Sequence, residues 1–500
     1  MTKQTRQWIA VIFALSQMAC TKVVLFETKD PQSDGIRGKY WRQASYLELN
    51  ANSPSTTALR SFHNFDIASA GTEAQLTATF YDAGLARFIG YGRLYADGLG
   101  WSNPGGDFAS VAASSTAGVN LSYTAIAGGP GQFWLSVFQT NQAAGSQRLM
   151  TGLNNGMWQT AQQTAAGTFG KQYVTTTDET PGNPISVTFD AVGRAYIGVV
   201  DQAAGTVQLH RWTQNVGIDQ TNVGQVATNN QVKLVFDGSR WVCAYSQDNT
   251  ALDVLVQQCY DTTLTLAWNS SGATLPTPVS DLALSNRGFD AATNGNGTIV
   301  TVYNEFYLGV LNHVFARFTS DGVPVGSSGT AISTGMPSGY EVSNLNGASP
   351  QVVYLGDNRF GAAWIGIDTA SQLSAVFYSE YYFGNWSTPE MIAPAMTYTT
   401  APHYQSFHLF SNGDNNAGIA INYLTTGTTA GARQIQVARY HVNHGWLSSS
   451  TYGEGCPATG VGVAVCSMRP KGVILSSGTS VVVFGDLFGG LYRLGGAEFK

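Results

Sequence analysis

Charge is what this chain has least of. Lys and Arg number 25 and Asp and Glu 31 among 500 residues, so charged residues make up 11% and the formal net charge is −6. A surface this poor in cations argues against nucleic acid as a partner, because phosphate binding needs a basic face. The hydrophobic share of 43% excludes a disordered chain, which needs low hydrophobicity with high net charge. His (7) and Cys (5) are also few. No Ser–His–Asp or Cys–His arrangement suited to nucleophilic catalysis stands out, and no cofactor motif does. What fills the chain is 57 Gly with much Thr, Ser, Asn and Gln. That is the make-up of a stable β protein with a polar, weakly charged surface, suited to export.

The first residues read as an export signal. Lys3 and Arg6 precede an apolar core, Trp8 to Leu15, that is too short to span a bilayer. It ends in Ser16-Gln17-Met18-Ala19-Cys20. The segment resembles a bacterial lipoprotein signal, in which a small residue precedes the cysteine that becomes the lipidated N-terminus; Gln17 stands where that family usually has Leu. The resemblance implies a signal peptide over 1–19, lipidation of Cys20, a linker over 20–36 and a folded body over 37–500. It implies an exported protein of the bacterial cell envelope, an outer-membrane lipoprotein facing periplasm or exterior and touching membrane through its lipid only. Without residues 1–19 the formal charge becomes −8. The other four cysteines suit an oxidising compartment. Cys243 and Cys259 flank a hairpin centred on residue 251, and Cys456 and Cys466 close a short loop, so two local disulfides are expected.

A strand-like run, a tight turn rich in Gly, Asp or Asn, and a second run ending in a bulky residue recur eight times. The bulky anchors are Phe80, Phe138, Val199, Tyr245, Tyr303, Trp364, Ile421 and Phe484, at intervals of 58, 61, 46, 58, 61, 57 and 63. After the second strand comes a third run that often ends in Trp, as in Leu149 to Trp158, Val254 to Trp268, Leu373 to Trp386 and Ile435 to Trp446. A shorter fourth segment such as Glu390-Met391-Ile392 follows. Four strands per unit of this period predict an all-β fold, a single β-propeller of four-stranded blades. Eight blades fit the anchors; seven is the alternative, because the first repeat is weak and the 46-residue interval is short. The eighth repeat stops after its third strand. Tyr40-Trp41-Arg42 and Tyr46 to Leu49 supply the missing Trp and fourth strand, so an N-terminal strand is expected to join the C-terminal blade.

Function must then be sought in residues that the repeat brings to the channel. Two residues past the anchor stand Asp82, Asp201, Glu305 and Asp486, an acidic rim that fits a cation or sugar hydroxyls; the plainer reading is that they serve turns. Arg60, Arg287 and Arg469 stand near the starts of first strands, with His63 and His403 in comparable places. Converging arginines bind carboxylates bidentately. The cluster faintly resembles that of sialidases, although no copy of their aspartate box is present and Ser320-Asp321-Gly322 is only a turn fragment. His441-x-x-His444 sits in a β context, so no metal site is expected. The turn Asn294-Gly295-Asn296-Gly297 lacks the Lys of a phosphate loop. The Trp series 101, 158, 268, 386 and 446 reads as packing between blades.

The chain resembles exported bacterial β-propeller-repeat lipoproteins in architecture. It is also similar in plan to eight-bladed propeller lipoproteins of outer-membrane assembly, without their repeat motif. The expected function is a lipid-anchored binding or adhesion module, a monomer holding a glycan, peptide or envelope protein on its loop face, with no cofactor. The alternatives are a carbohydrate-active hydrolase or lyase, and an envelope assembly scaffold.

Overall fold

The computed structural model describes residues 41–44 and, with gaps between strands, 60–499; residues 1–40, 45–59 and 161–184 are the longest stretches outside it. The signal segment, Cys20, the linker, Tyr46 to Leu49, His403 and Cys466 therefore lie outside the described residues. Within them the secondary structure is strand alone, arranged in eight sheets.

Sheet I runs Arg60–Ala70, Glu73–Asp82, Arg87–Ala96 and then a fourth edge in two pieces, Gly100–Trp101 and Ser110–Ala113. Sheet II is Asn120–Gly129, Phe133–Asn141, Gln147–Asn154 and Trp158–Thr160, and sheet III is Ile185–Phe189, Ala195–Asp201, Thr206–Thr213 and Gly217–Val226. Sheets IV (Val232–Phe236, Trp241–Asp248, Val254–Asp261) and V (Leu284–Thr293, Thr298–Tyr307, Leu311–Ser320) also end in split fourth edges. Sheet VI holds Tyr340–Val342 and Gln351–Gly356 as its first edge, then Arg359–Asp368, Leu373–Tyr382 and a split fourth edge, Asn385–Trp386 and Glu390–Thr397. Sheet VII is Phe407–Ser411, Asn416–Leu424, Ala432–His441 and Gly445–Pro457.

Sheet VIII closes the ring. Its first three strands, Lys471–Ile474, Ser480–Phe488 and Leu491–Phe499, are C-terminal, and its fourth is Trp41–Ala44, antiparallel to the third with Trp41 opposite Phe499. The expected closure is therefore present. The first strands of neighbouring sheets touch all the way round, and that of sheet I meets that of sheet VIII. The molecule is a closed β-propeller of eight sheets, so no sheet edge is left open at the seam.

Each bulky anchor lies on a second strand. Tyr245, Tyr303, Trp364, Ile421 and Phe484 are buried, as is the whole run Val481 to Phe484, because sheets stacked face to face are covered on both sides. One apolar cluster joins Phe65, Leu76 and Tyr95 of sheet I to Leu475, Val481 and Leu494 of sheet VIII. The Trp residues open or follow the turn into the fourth strand. Trp101 packs edge-on against Tyr95 at 5.3 Å, and Trp446 against Tyr378 of the preceding sheet at 5.2 Å. Trp101, Trp386 and Trp446 thus pack into the apolar clusters between sheets, while the side chains of Trp158 and Trp268 lie outside the description. Cys243 and Cys259 stand opposite each other across two strands of sheet IV and are disulfide-bonded.

The Gly, Asp and Asn turns do two jobs. Within a hairpin, Asp237 Oδ1 accepts the backbone N–H groups of Ser239, Arg240 and Trp241, and Asn294 Oδ1 accepts those of Asn296 and Thr298. Between sheets, the turns bond to one another. Gly297 N–H donates to Asp237 O at 2.7 Å, Asn415 N–H to Leu355 O at 2.5 Å, and Ser476 N–H to Gly71 O at 2.9 Å across the seam. Gly238 has a φ of +88°, and a Cβ there would lie 2.0 Å from Gly295 O. Glycine is required at that point by conformation and by contact together.

Candidate functional site on the propeller axis

Adjacent first strands are joined by a repeating side-chain device. Asp66 Oδ2 of sheet I accepts the N–H of Ile126 in sheet II at 3.2 Å. Ser186 Oγ accepts Leu234 N–H, Asp290 Oδ2 accepts Val352 N–H, Gln351 Oε1 accepts Leu409 N–H and His408 Nδ1 accepts Gly472 N–H, at 2.9 to 3.2 Å. Every acceptor serves the residue after the equivalent position of the next sheet. The series is Asp66, Ala125, Ser186, Lys233, Asp290, Gln351, His408 and Lys471, with intervals of 59, 61, 47, 57, 61, 57 and 63. Lysine cannot accept a hydrogen bond. At the two lysine positions the ammonium reaches the aspartate of the next sheet instead, Lys233 to Asp290 at 2.8 Å and Lys471 to Asp66 at 3.3 Å.

This column gathers charge on the axis. Arg469, two residues before Lys471, donates its Nε–H to Phe407 O at 2.7 Å. Burial pushes its guanidinium down to about 10, against the opposing pull of Asp290 and Asp66 from sheets V and I. His408 is partly exposed, yet burial and then the charges of Lys471, Arg469 and Lys233 hold its imidazole well below the ordinary histidine range. Groups from sheets I, IV, V, VII and VIII thus act on one another across the channel. Because Nδ1 of His408 accepts from Gly472, the proton of the neutral ring sits on Nε2, which is a donor.

The residues expected from sequence fall into two groups. Arg469 is at the axis. Arg60 opens the first strand of sheet I and Arg287 lies within that of sheet V; the structure describes their backbone only. At about 3.3 Å per residue, Arg469, Arg287 and Arg60 stand roughly 7, 10 and 20 Å before the column, so they occupy different depths. Asp82, Asp201, Glu305 and Asp486 all lie at or near the ends of second strands, one strand further from the axis, in sheets I, III, V and VIII. Glu305 is buried there; the side chains of the other three are outside the description. His441 Nδ1 accepts Asn443 N–H at 3.2 Å, so His441 serves its hairpin turn. Asp321 of the Ser-Asp-Gly turn accepts from Arg240 and Trp241 of the preceding sheet and ties two turns together.

The sequence pointed to Arg469 and missed the column around it. The signal was present as the same period shifted onto the first strand. Its residue types differ at almost every position, which hides it from any search for a repeated chemistry.

No protein-family model matches the chain, and no curated protein sequence does. Solved structures resemble its fold. An α-L-arabinanase of Penicillium chrysogenum is 12% identical, with a TM-score of 0.35 over 64% of this chain and 93% of the other. A polysaccharide lyase of family 25, an ulvan lyase, is 9% identical with a TM-score of 0.42 over 72% and 89%. The β-propeller domain of the Trilobed protease from Pyrococcus furiosus is 8% identical with a TM-score of 0.38 over 82% and 99%. Such likenesses describe architecture and carry no activity to this chain.

Proposed function

We propose that the chain is a binding module of the cell envelope, held by a lipid on Cys20, and that it takes a carboxylate-bearing ligand, a glycan or a peptide, at the mouth of the axial channel. The observation that carries this reading is the meeting, among the described residues, of Arg469, Lys471, Lys233 and the Nε2–H of His408 with Asp66 and Asp290 around one axis. This gathering of donors among the described residues favours an anionic ligand. Binding is favoured over acid–base chemistry because each aspartate already accepts one lysine and one backbone N–H.

The test is calorimetric titration of the mature protein with an oligouronate, a peptide carboxylate and the neutral counterpart of each. A carboxylate-dependent affinity that Arg469→Gln weakens about tenfold, the value of one charged hydrogen bond, supports the reading. Equal binding of acid and neutral forms, or none of either, contradicts it.

A further inference from the structure

The joints between neighbouring first strands are not all closed in the same way. From sheet VI to sheet VII one carboxamide closes the joint completely. Gln351 Nε2 donates to Phe407 O at 2.8 Å, and Gln351 Oε1 accepts Leu409 N–H at 3.0 Å. Phe407 and Leu409 flank His408, the column residue of sheet VII. From sheet IV to sheet V the joint is built otherwise. Its column residue is Lys233, whose ammonium is taken by Asp290 and cannot accept a hydrogen bond. Gln231, two residues earlier, supplies a carboxamide in its place. Its Nε2 donates at 2.8 Å to Phe289 O, the carbonyl equivalent to Phe407 O.

The second half of that joint is left unanswered. Because Phe289 O needs a donor, the other end of the Gln231 amide is its oxygen. This Oε1 is buried and has no protein partner. Ala291 is buried too, and its N–H, equivalent to that of Leu409, meets no side-chain acceptor among the described residues. Buried polar groups cost free energy until they are paired. One atom that both donates and accepts answers the two groups together, and that is a hydroxyl oxygen. An ammonium only donates, and a carboxylate only accepts.

The place of Gln231 on the ring ties it to Arg469. Sheets IV and VIII are four apart in a ring of eight, so they face each other across the axis. Gln231 stands two residues before Lys233, as Arg469 stands two residues before Lys471. The two side chains therefore start from one depth on opposite walls. Lys233 of sheet IV and Arg469 of sheet VIII both act on His408. Seven of the eight column residues are polar, Ala125 being the exception. Such a wall offers little to the apolar side chains of a peptide and much to a polyhydroxylated ligand.

We infer that Gln231 is the specificity-determining residue of the axial site, its Oε1 accepting a hydroxyl of the ligand whose carboxylate Arg469 holds, and that the ligand is a sugar acid. This role rests on the proposed carboxylate site and selects the glycan over the peptide within it. A carboxylate that lacks the hydroxyl leaves Gln231 Oε1 unpaired, and a site built to bond a hydroxyl rejects the analogue without it.

The test is calorimetric titration of the mature protein with glucuronate, galacturonate, the monodeoxy analogues of each, and a peptide carboxylate. The wild type is expected to bind one uronate at least about tenfold more tightly than one of its deoxy analogues and than the peptide. Gln231→Met keeps the length of the side chain without its acceptor, and is expected to bind that uronate and that analogue alike, while Arg469→Gln weakens both. Equal affinity for the uronate and all its deoxy analogues, or a discrimination that survives in Gln231→Met, overturns the role of Gln231 and leaves the carboxylate site standing. A peptide carboxylate bound as tightly as the uronate overturns the choice of a sugar acid and also leaves that site standing. No carboxylate-dependent binding overturns both. Should Gln231→Met fail to fold, a wild-type crystal soaked with the uronate decides. A sugar oxygen within about 3.2 Å of Gln231 Oε1 supports the role, and a water molecule in its place overturns it.

Discussion

At the scale of single residues, Asp66 has two partners in two other sheets, and this sets what its loss does. Asp66→Ala strands the Lys471 ammonium and leaves the Ile126 N–H without an acceptor, at a cost of about 2–3 kcal/mol in chemical denaturation. Asp66→Asn keeps an oxygen for Ile126 and is expected to lose less than half of that. Equal losses for the two would mean that the hydrogen bond between strands contributes little. His408 gives the pH dependence. The unfolded imidazole takes a proton near pH 6.5, whereas the folded ring resists it until well below. The unfolded state then binds more protons, so stability falls as pH drops from about 7, by at most about 1.4 kcal/mol per unit, until the folded ring titrates. His313, lowered by its own burial, adds a slope of the same sign. The comparison of wild type with His408→Asn between pH 7.5 and 5.5 isolates His408: the variant's curve is expected to be flatter.

At the scale of strands and turns, the recurring hairpin proves to be a clamp between sheets as well as a turn. Gly238 and Gly193 both have φ near +87°, yet only Gly238 has a neighbour, Gly295 O, where a Cβ would go. Gly193→Ala is expected to cost about 1 kcal/mol for conformation alone. Gly238→Ala should cost clearly more, because two turns of adjacent sheets must part. Similar denaturation midpoints for the two variants would count against turn-to-turn clamping. This is also where the limits of sequence reading show. Second strands were legible because their anchors are bulky, and the six whose side chains are described sit in the clusters between sheets, a constraint that repeats in kind as well as in spacing. The column on the first strands repeats in position only. Asp, Ser, Gln and His can each accept a backbone N–H, and Lys meets the same need by reaching an aspartate one sheet on. Five residue types satisfy one geometric requirement, so no repeated letter marks it. The acids two residues past the anchors were visible for the opposite reason, sharing a chemistry while lying one strand away from the axis.

At the scale of the whole molecule, the ring gives the chain two unlike faces. One face carries the turns between first and second strands, with their clamps from sheet to sheet; on the other, Arg469 precedes the first strand of sheet VIII. Closure by Trp41–Ala44 was legible because a unit ended one strand short and the start of the chain held a strand without a unit. The ligand was not, since the charges that would hold it come from five sheets and meet only once the ring is closed. The most direct test of the account is a crystal structure of the mature protein soaked with a short oligouronate. The account predicts a carboxylate at the mouth of the channel where Arg469 precedes the first strand of sheet VIII, bonded to Arg469 and within reach of Lys471 and His408 Nε2. A ligand bound on the outer edges of the sheets with the axis empty would contradict it.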